Sequence, residues 1–126
     1  MSIFSKSNIE KLKEVLYNSY VHDAKIKSVK YECGDNSLNI EMFNSIFQVI
    51  INVIFLDIQL AFLVSGNNLG SRETVISLTL EEDYSYLQNY VPEHRGKIDH
   101  LYLLFQMLSG DELHIVSKEV VVETIK

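Results

Sequence analysis

A single cysteine, Cys33, rules out an intrachain disulfide, so nothing in the sequence implies an oxidising compartment. It ends an apolar strand phase with Val29 and Tyr31, and no histidine or second cysteine stands close to it in sequence. It is therefore expected in the core as a small hydrophobe. Basic residues are also scarce: eleven Lys and Arg stand against seventeen Asp and Glu, a net charge of −6. Binding to nucleic acid draws its affinity from clustered cations that displace counterions, and these are scattered, so general nucleic-acid binding is excluded. An acidic surface instead draws basic partners. The opening residues, Met1-Ser2-Ile3-Phe4-Ser5-Lys6, lack the apolar run of a signal peptide, and a cytoplasmic location is expected. The most apolar stretch, residues 46–64, contains Gln48, Asn52, Asp57 and Gln59. A central Asp costs about 3 kcal/mol on insertion, and Phe47, Val49, Ile51, Val53 and Phe55 recur at strand spacing. That stretch is expected as buried sheet, with no membrane association.

Phosphate-binding and hydrolase motifs are missing too. The loop Ser65-Gly66-Asn67-Asn68-Leu69-Gly70-Ser71 follows a strand but has neither the Lys of a P-loop nor dinucleotide spacing. No Gly-x-Ser-x-Gly occurs. Nothing in the pattern calls for a cofactor.

What is present describes one globular domain spanning residues 1–126, long enough to bury about two-thirds of its unfolded surface. Ser7-Asn8-Ile9-Glu10 fits a capping box, and Ile9, Leu12, Leu16 and Tyr20 then recur on one helical face, with Lys11, Lys13 and Glu14 turned to water. From Ala24 the apolar period becomes two. Ala24 and Ile26 lie in one phase and Val29, Tyr31 and Cys33 in the other, which a β-bulge near Lys27-Ser28 would produce. Gly34-Asp35-Asn36 turns the chain into a strand marked by Leu38, Ile40 and Met42. Around Leu56-Asp57 the sequence leaves a turn and a long bent strand both open. Thr74, Ile76 and Leu78 mark a further strand. Thr79-Leu80-Glu81-Glu82 then reads as a second capping box, opening a short helix over 80–91 with Tyr84, Leu87 and Val91 inward and Pro92 as its stop. Residues 97–108 and 113–124 form a closing hairpin around Ser109-Gly110-Asp111-Glu112. With an even-numbered loop, Leu101, Leu103, Phe105 and Met107 share a face with Val116, Val120 and Val122, leaving Ile115 on the other. The expected fold is α+β, a mainly antiparallel sheet of about six or seven strands with an N-terminal helix and a short second helix.

The polar residues that could carry chemistry have plainer roles. His22-Asp23 lacks the further ligands a metal phosphohydrolase needs, and is expected to order the helix-to-strand junction. His100 and His114, given an even-numbered hairpin loop, project from opposite faces, too far apart to share an ion. His94 sits in a loop with no nucleophile beside it. Glu81, Glu82 and Asp83 suit the positive end of a helix.

The segment Tyr20-Val21-His22-Asp23-Ala24-Lys25-Ile26, running into a Lys-rich strand and a hairpin, resembles the His-Asp-Ala/Ser opening of small β-rich bacterial proteins. Some of these are immunity proteins of polymorphic toxin systems. This chain departs from them in having no tryptophan. The resemblance implies a non-enzymatic bacterial protein that blocks a toxin by binding it.

The expected function is therefore protein interaction, with a basic toxin as an immunity-type partner. The partner-binding residues are expected to be Tyr86 and Tyr90, outward on the 80–91 helix, with Glu82 and Glu93 as an acidic rim. The alternative is a small-ligand-binding protein or enzyme with a pocket between sheet and N-terminal helix, its mouth lined by Tyr20 and His22. A homodimer through an open sheet edge is a third expectation.

Overall fold

Alternation of apolar residues in antiparallel strands makes one sheet face greasy, and a small domain hides that face most fully by curling the sheet on itself. The computed structural model, which describes residues 2–66, 70–85, 87 and 100–126, shows this arrangement. The elements are β1 (Ile3–Phe4), a 3-10 turn (Lys6–Asn8), α1 (Ile9–Tyr17), β2 (Lys25–Glu32), β3 (Ser37–Asn44), β4 (Val49–Val64), β5 (Val75–Glu81), β6 (Leu101–Met107) and β7 (Glu112–Ile125). All pairings are antiparallel, in the order β2-β3-β4-β7-β6-β5, with β1 added on β7.

The outer strands of this order meet. Lys25 bridges Thr74, the Ile26 amide donates to the Glu73 carbonyl at 2.9 Å, and the Val75 amide donates to the Ala24 carbonyl at 2.8 Å. The sheet is thus a barrel joined at one point along its seam. α1 touches β5 and β1 and inserts Leu12 and Leu16 among Phe4, Ile40, Met42, Ile51, Val53, Phe55 and Phe105. Burying each such side chain contributes about 1.5–3 kcal/mol.

Several elements follow the local chemistry. α1 carries Ile9, Leu12 and Leu16 of the expected stripe, whereas Tyr20 lies past its end at φ 63°; the entry also lies earlier, the Ser5 amide donating to Asn8 Oδ1 at 2.7 Å ahead of the 3-10 turn. The bulge in β2 falls between Ile26 and Ser28. β4 does not turn at Asp57 but runs on to Val64. Asp57 takes φ 56°, which a short polar side chain tolerates. The Ile58 amide then donates to the Asn36 carbonyl at 3.3 Å, while Asn36 Nδ2 donates to the Ile58 carbonyl at 2.9 Å. The strand therefore bends around the tip of the β2–β3 hairpin. Phe47, expected in that strand, lies in the turn before it.

Four expectations need correction. The short second helix is not present among the described residues: Thr79, Leu80 and Glu81 belong to β5, paired with Leu104, Leu103 and Tyr102. Strand pairing outcompeted a local capping signal there, because β6 offers both hydrogen bonds and an apolar face. Positions 86 and 88–91 of that segment lie outside the described residues, as do 97–99 of the hairpin. In β5, Val75 and Leu78 are the buried residues and Ile76 is exposed, since the register shifts between Val75 and Ser77. The β6–β7 loop is odd-numbered: Met107 and Asp111 exchange a backbone bond across Leu108, Ser109 and Gly110, the last at φ 88°. A three-residue hairpin loop needs such a left-handed residue. Leu103 therefore pairs Ile115 and Phe105 pairs Leu113 on the core face, while Val116 joins Tyr102 on the outer face. Finally, Cys33 is exposed in the β2–β3 turn, one residue past the strand.

The outer face holds a second apolar cluster of Leu87, Tyr102, Leu104 and Val116, with Leu60, Phe62 and Tyr84 packed on it. Tyr84 and Leu87, two members of the inward stripe read from the sequence, are covered in this cluster, and the Leu87 amide donates to the Tyr84 carbonyl at 3.1 Å.

Candidate interaction site

The barrel is not closed along its whole length. Beyond Ile26, β2 diverges from the β5 side, and among the described residues no strand pairs with its outer edge at 27–32. Past Ile58, β4 is paired among the described residues with β7 alone, because β3 begins at Ser37 opposite Leu56. Between these edges lies a cleft of about 360 Å³ lined by Ile26, Val29, Leu63, Met107 and Leu113, with Arg72, Glu73 and Asp111 at its rim.

Strand phase shows what this cleft is. Val29 pairs with Ile40 and Tyr31 with Leu38, both buried, while Leu63 pairs with Leu113 beside the core. These three side chains occupy the core phase of their strands, yet they are 52%, 52% and 63% exposed. The core continues to the surface as an open apolar mouth. Its rim is held firmly. Asp111 accepts from the Gly66 amide at 2.6 Å and from Arg72 Nη1 at 2.9 and 3.1 Å. The amide first, and then the guanidinium, hold its carboxyl below the usual range. Gly66 is required at this rim, since a Cβ there would sit 2.2 Å from the Gly110 backbone.

Of the residues expected from the sequence to bind a partner, Glu82 lies among the described residues. Tyr86, Tyr90 and Glu93 lie outside the described residues. Glu82 forms an exposed ion pair with Lys13 of α1, which also bonds Glu10 at 3.3 Å. The Glu82 bond raises the Lys13 pKa and lowers that of Glu82. Asp83 caps a turn by accepting from the Ser85 amide at 2.9 Å, which lowers its pKa.

Tyr20 and His22 line a second cleft, of about 310 Å³, between α1 and β5, with Leu16, Tyr17, Ile76 and Leu78. The chain enters it through Tyr20 and Asp23, at φ 63° and 69°. Buried Asn44 holds this turn, donating Nδ2 to the carbonyls of Tyr20 at 2.9 Å and His22 at 3.2 Å. His22 itself bonds the Ile76 carbonyl through Nδ1 and lies 3.5 Å from Asp23. The dipeptide thus orders the junction.

One constellation was missed because the hairpin parity was misread. His114 lies on the outer face, opposite Leu104 and beside Tyr102, so it does not stand apart from that face. The even-loop premise that separated His100 from His114 fails with it. His114 is fully buried and stacks on Phe62 at 4.6 Å. The Tyr102 hydroxyl hydrogen-bonds Nδ1 at 2.6 Å, and Nε2 lies 3.2 Å from Glu112 Oε1. With no exposed surface, this ring is suited to ordering the outer cluster and not to meeting a substrate. A shallow space of about 220 Å³ outside it is lined by Glu81, Asp83, Tyr102, Leu104 and Glu112. Among the described residues no group of three or more His, Cys, Asp or Glu could hold a metal. No described helix is long and apolar enough to cross a membrane.

No protein-family model matches this sequence, and neither does any curated protein.

Proposed function

We propose that this chain is a non-enzymatic protein-interaction domain that receives apolar side chains of its partner in the barrel mouth. The observation that carries the proposal is that Val29, Tyr31 and Leu63 stay half-exposed or more on a phase that elsewhere is buried. Clustered apolar side chains left in water around a concavity mark sites completed by another molecule. The net charge of −6 would speed association with a basic partner. Together with the likeness of residues 20–26, this makes immunity-type neutralisation of a basic toxin the biological form proposed. Tyr86, Tyr90 and Glu93 are proposed as further contacts, since Tyr is enriched in binding hot spots.

The test is affinity capture from lysate of the native source, with the partner identified by mass spectrometry. Leu63→Asp with Val29→Asp should lose the partner while retaining the parent circular dichroism spectrum. Retention of the same partner by the double variant would overturn the proposal, and Tyr86→Ala with Tyr90→Ala measures the second contact separately.

A second reading has its own observation. Tyr20 and His22 line a cleft between α1 and β5, as a small-ligand-binding protein or enzyme would need. Chemical-shift mapping with a fragment library would favour this reading if hits converge on Tyr20 and His22. It would dismiss it if they avoid them.

A further inference from the structure

We propose that the free edge of β2 accepts an extended segment of the partner as an added strand, and that this segment alternates apolar with acidic residues. The inference rests on the interaction reading above and names the chemistry of what docks.

Three observations meet at residues 27–32. The backbone edge there has no strand beyond it among the described residues, so its outward amides and carbonyls are available for sheet extension. The inner face of the same stretch presents Val29 and Tyr31, half-exposed, with Leu63 across the cleft. An added strand would fill the gap between β2 and the Leu63–Arg72 side, and its inward residues would cover all three. The outer face of β2 presents Lys25 and Lys27 before and within the bulge and Lys30 after it, all exposed. In a chain of net charge −6, three of eleven basic residues thus fall within six positions of one edge strand. Arg72 stands at the rim paired with Asp111, and Glu32, Glu73 and Glu41, the last opposite Ser28 on β3, are the other acidic groups nearby. A strand has period two, so a segment with apolar residues inward sets its alternate residues outward beside these lysines, where carboxylates are favoured.

The same charges disfavour a second copy of this chain. An antiparallel β2–β2 pairing centred between Ser28 and Val29 would set Lys27 against Lys30, and lysines on edges commonly prevent such self-association. The proposal is compatible with a basic partner. Net charge steers approach over a Debye length, whereas strand choice is made at contact distance.

The experiment selects seven-residue peptides from a random displayed library against the intact chain. Selected peptides should alternate apolar and acidic residues. They should shift the amide resonances of 27–32, and weaken at least tenfold on Lys27→Glu with Lys30→Glu, both exposed changes. Peptides without acidic enrichment, binding that maps elsewhere, failure to obtain binders, or a concentration-dependent dimer by light scattering would each overturn the proposal. A native partner lost with Leu63→Asp and Val29→Asp but kept with the lysine reversal would leave the interaction reading standing and remove this one.

Discussion

The two ends of β2 and β4 obey the same sequence rule and meet different fates. Where β3 and β4 pair, Ile40, Met42, Ile51, Val53 and Phe55 are completely buried under α1, β6 and β7. At the mouth, Val29, Tyr31 and Leu63 alternate in the same way but remain in water. Alternation specifies which way a side chain points; it does not specify whether anything lies there. Apolar side chains at the closed end stabilise the fold, whereas those at the open end are free to serve recognition.

Substitutions can break or sharpen that contrast. The largest effect is expected from Phe55→Ala at the closed end, a loss of about 3–5 kcal/mol in urea unfolding. A loss below about 1 kcal/mol would show that the barrel interior is looser than described. Next, Asn44→Ala strips the bonds to the Tyr20 and His22 carbonyls and should cost about 1–3 kcal/mol. It should also shift the His22 resonances; a change confined to position 44 would detach the junction from the closed end.

At the rim of the mouth, the lowered Asp111 pKa makes a pH prediction. A carboxyl whose folded pKa lies below its ordinary value of 3.8 stabilises the fold above that value. That stabilisation is lost as pH falls through the lower folded value. Asp111→Asn should therefore flatten the acid limb of a Tm-against-pH curve below about pH 4. An unchanged limb would mean that other carboxyls control it.

Smaller still, Leu63→Ser should change stability by no more than about 0.5 kcal/mol, since little of its surface is buried to begin with. The smallest effect belongs to Cys33→Ser, with no measurable change in Tm. The native thiol should react with Ellman's reagent about as fast as it does in urea. Protection of the native thiol would place Cys33 in the core after all.

Much of the fold was legible because it depends on neighbours in sequence. The stripe Ile9, Leu12, Leu16 is written at helical spacing. The slip between Ile26 and Val29 announces the bulge, and Gly34-Asp35-Asn36 announces the turn. The hairpin at Gly110 was misread because one residue of loop length exchanges every face, and composition does not count loop residues. The helix expected over 80–91 failed at its start because a capping pattern is worth about 1 kcal/mol, less than Leu80 and Glu81 gain by pairing with Leu103 and Tyr102. Of the candidate site, Val29 and Tyr31 were legible only as apolar. The His114 constellation was hidden behind the misassigned face.

By itself, then, the sequence determined an antiparallel α+β chain with a helix near its start, the β2 bulge in place and the apolar phases of β3 and the first half of β4 assigned. Those features come from local sterics and side-chain periodicity, which act within a few residues. Only the tertiary structure decided that Ala24–Ile26 would meet Glu73–Val75 and that the seam would stop there. Contacts separated by about fifty positions depend on how far each strand twists and bends. Where that twist carried β2 away from its neighbour, a hydrophobic pattern indistinguishable from core became a surface.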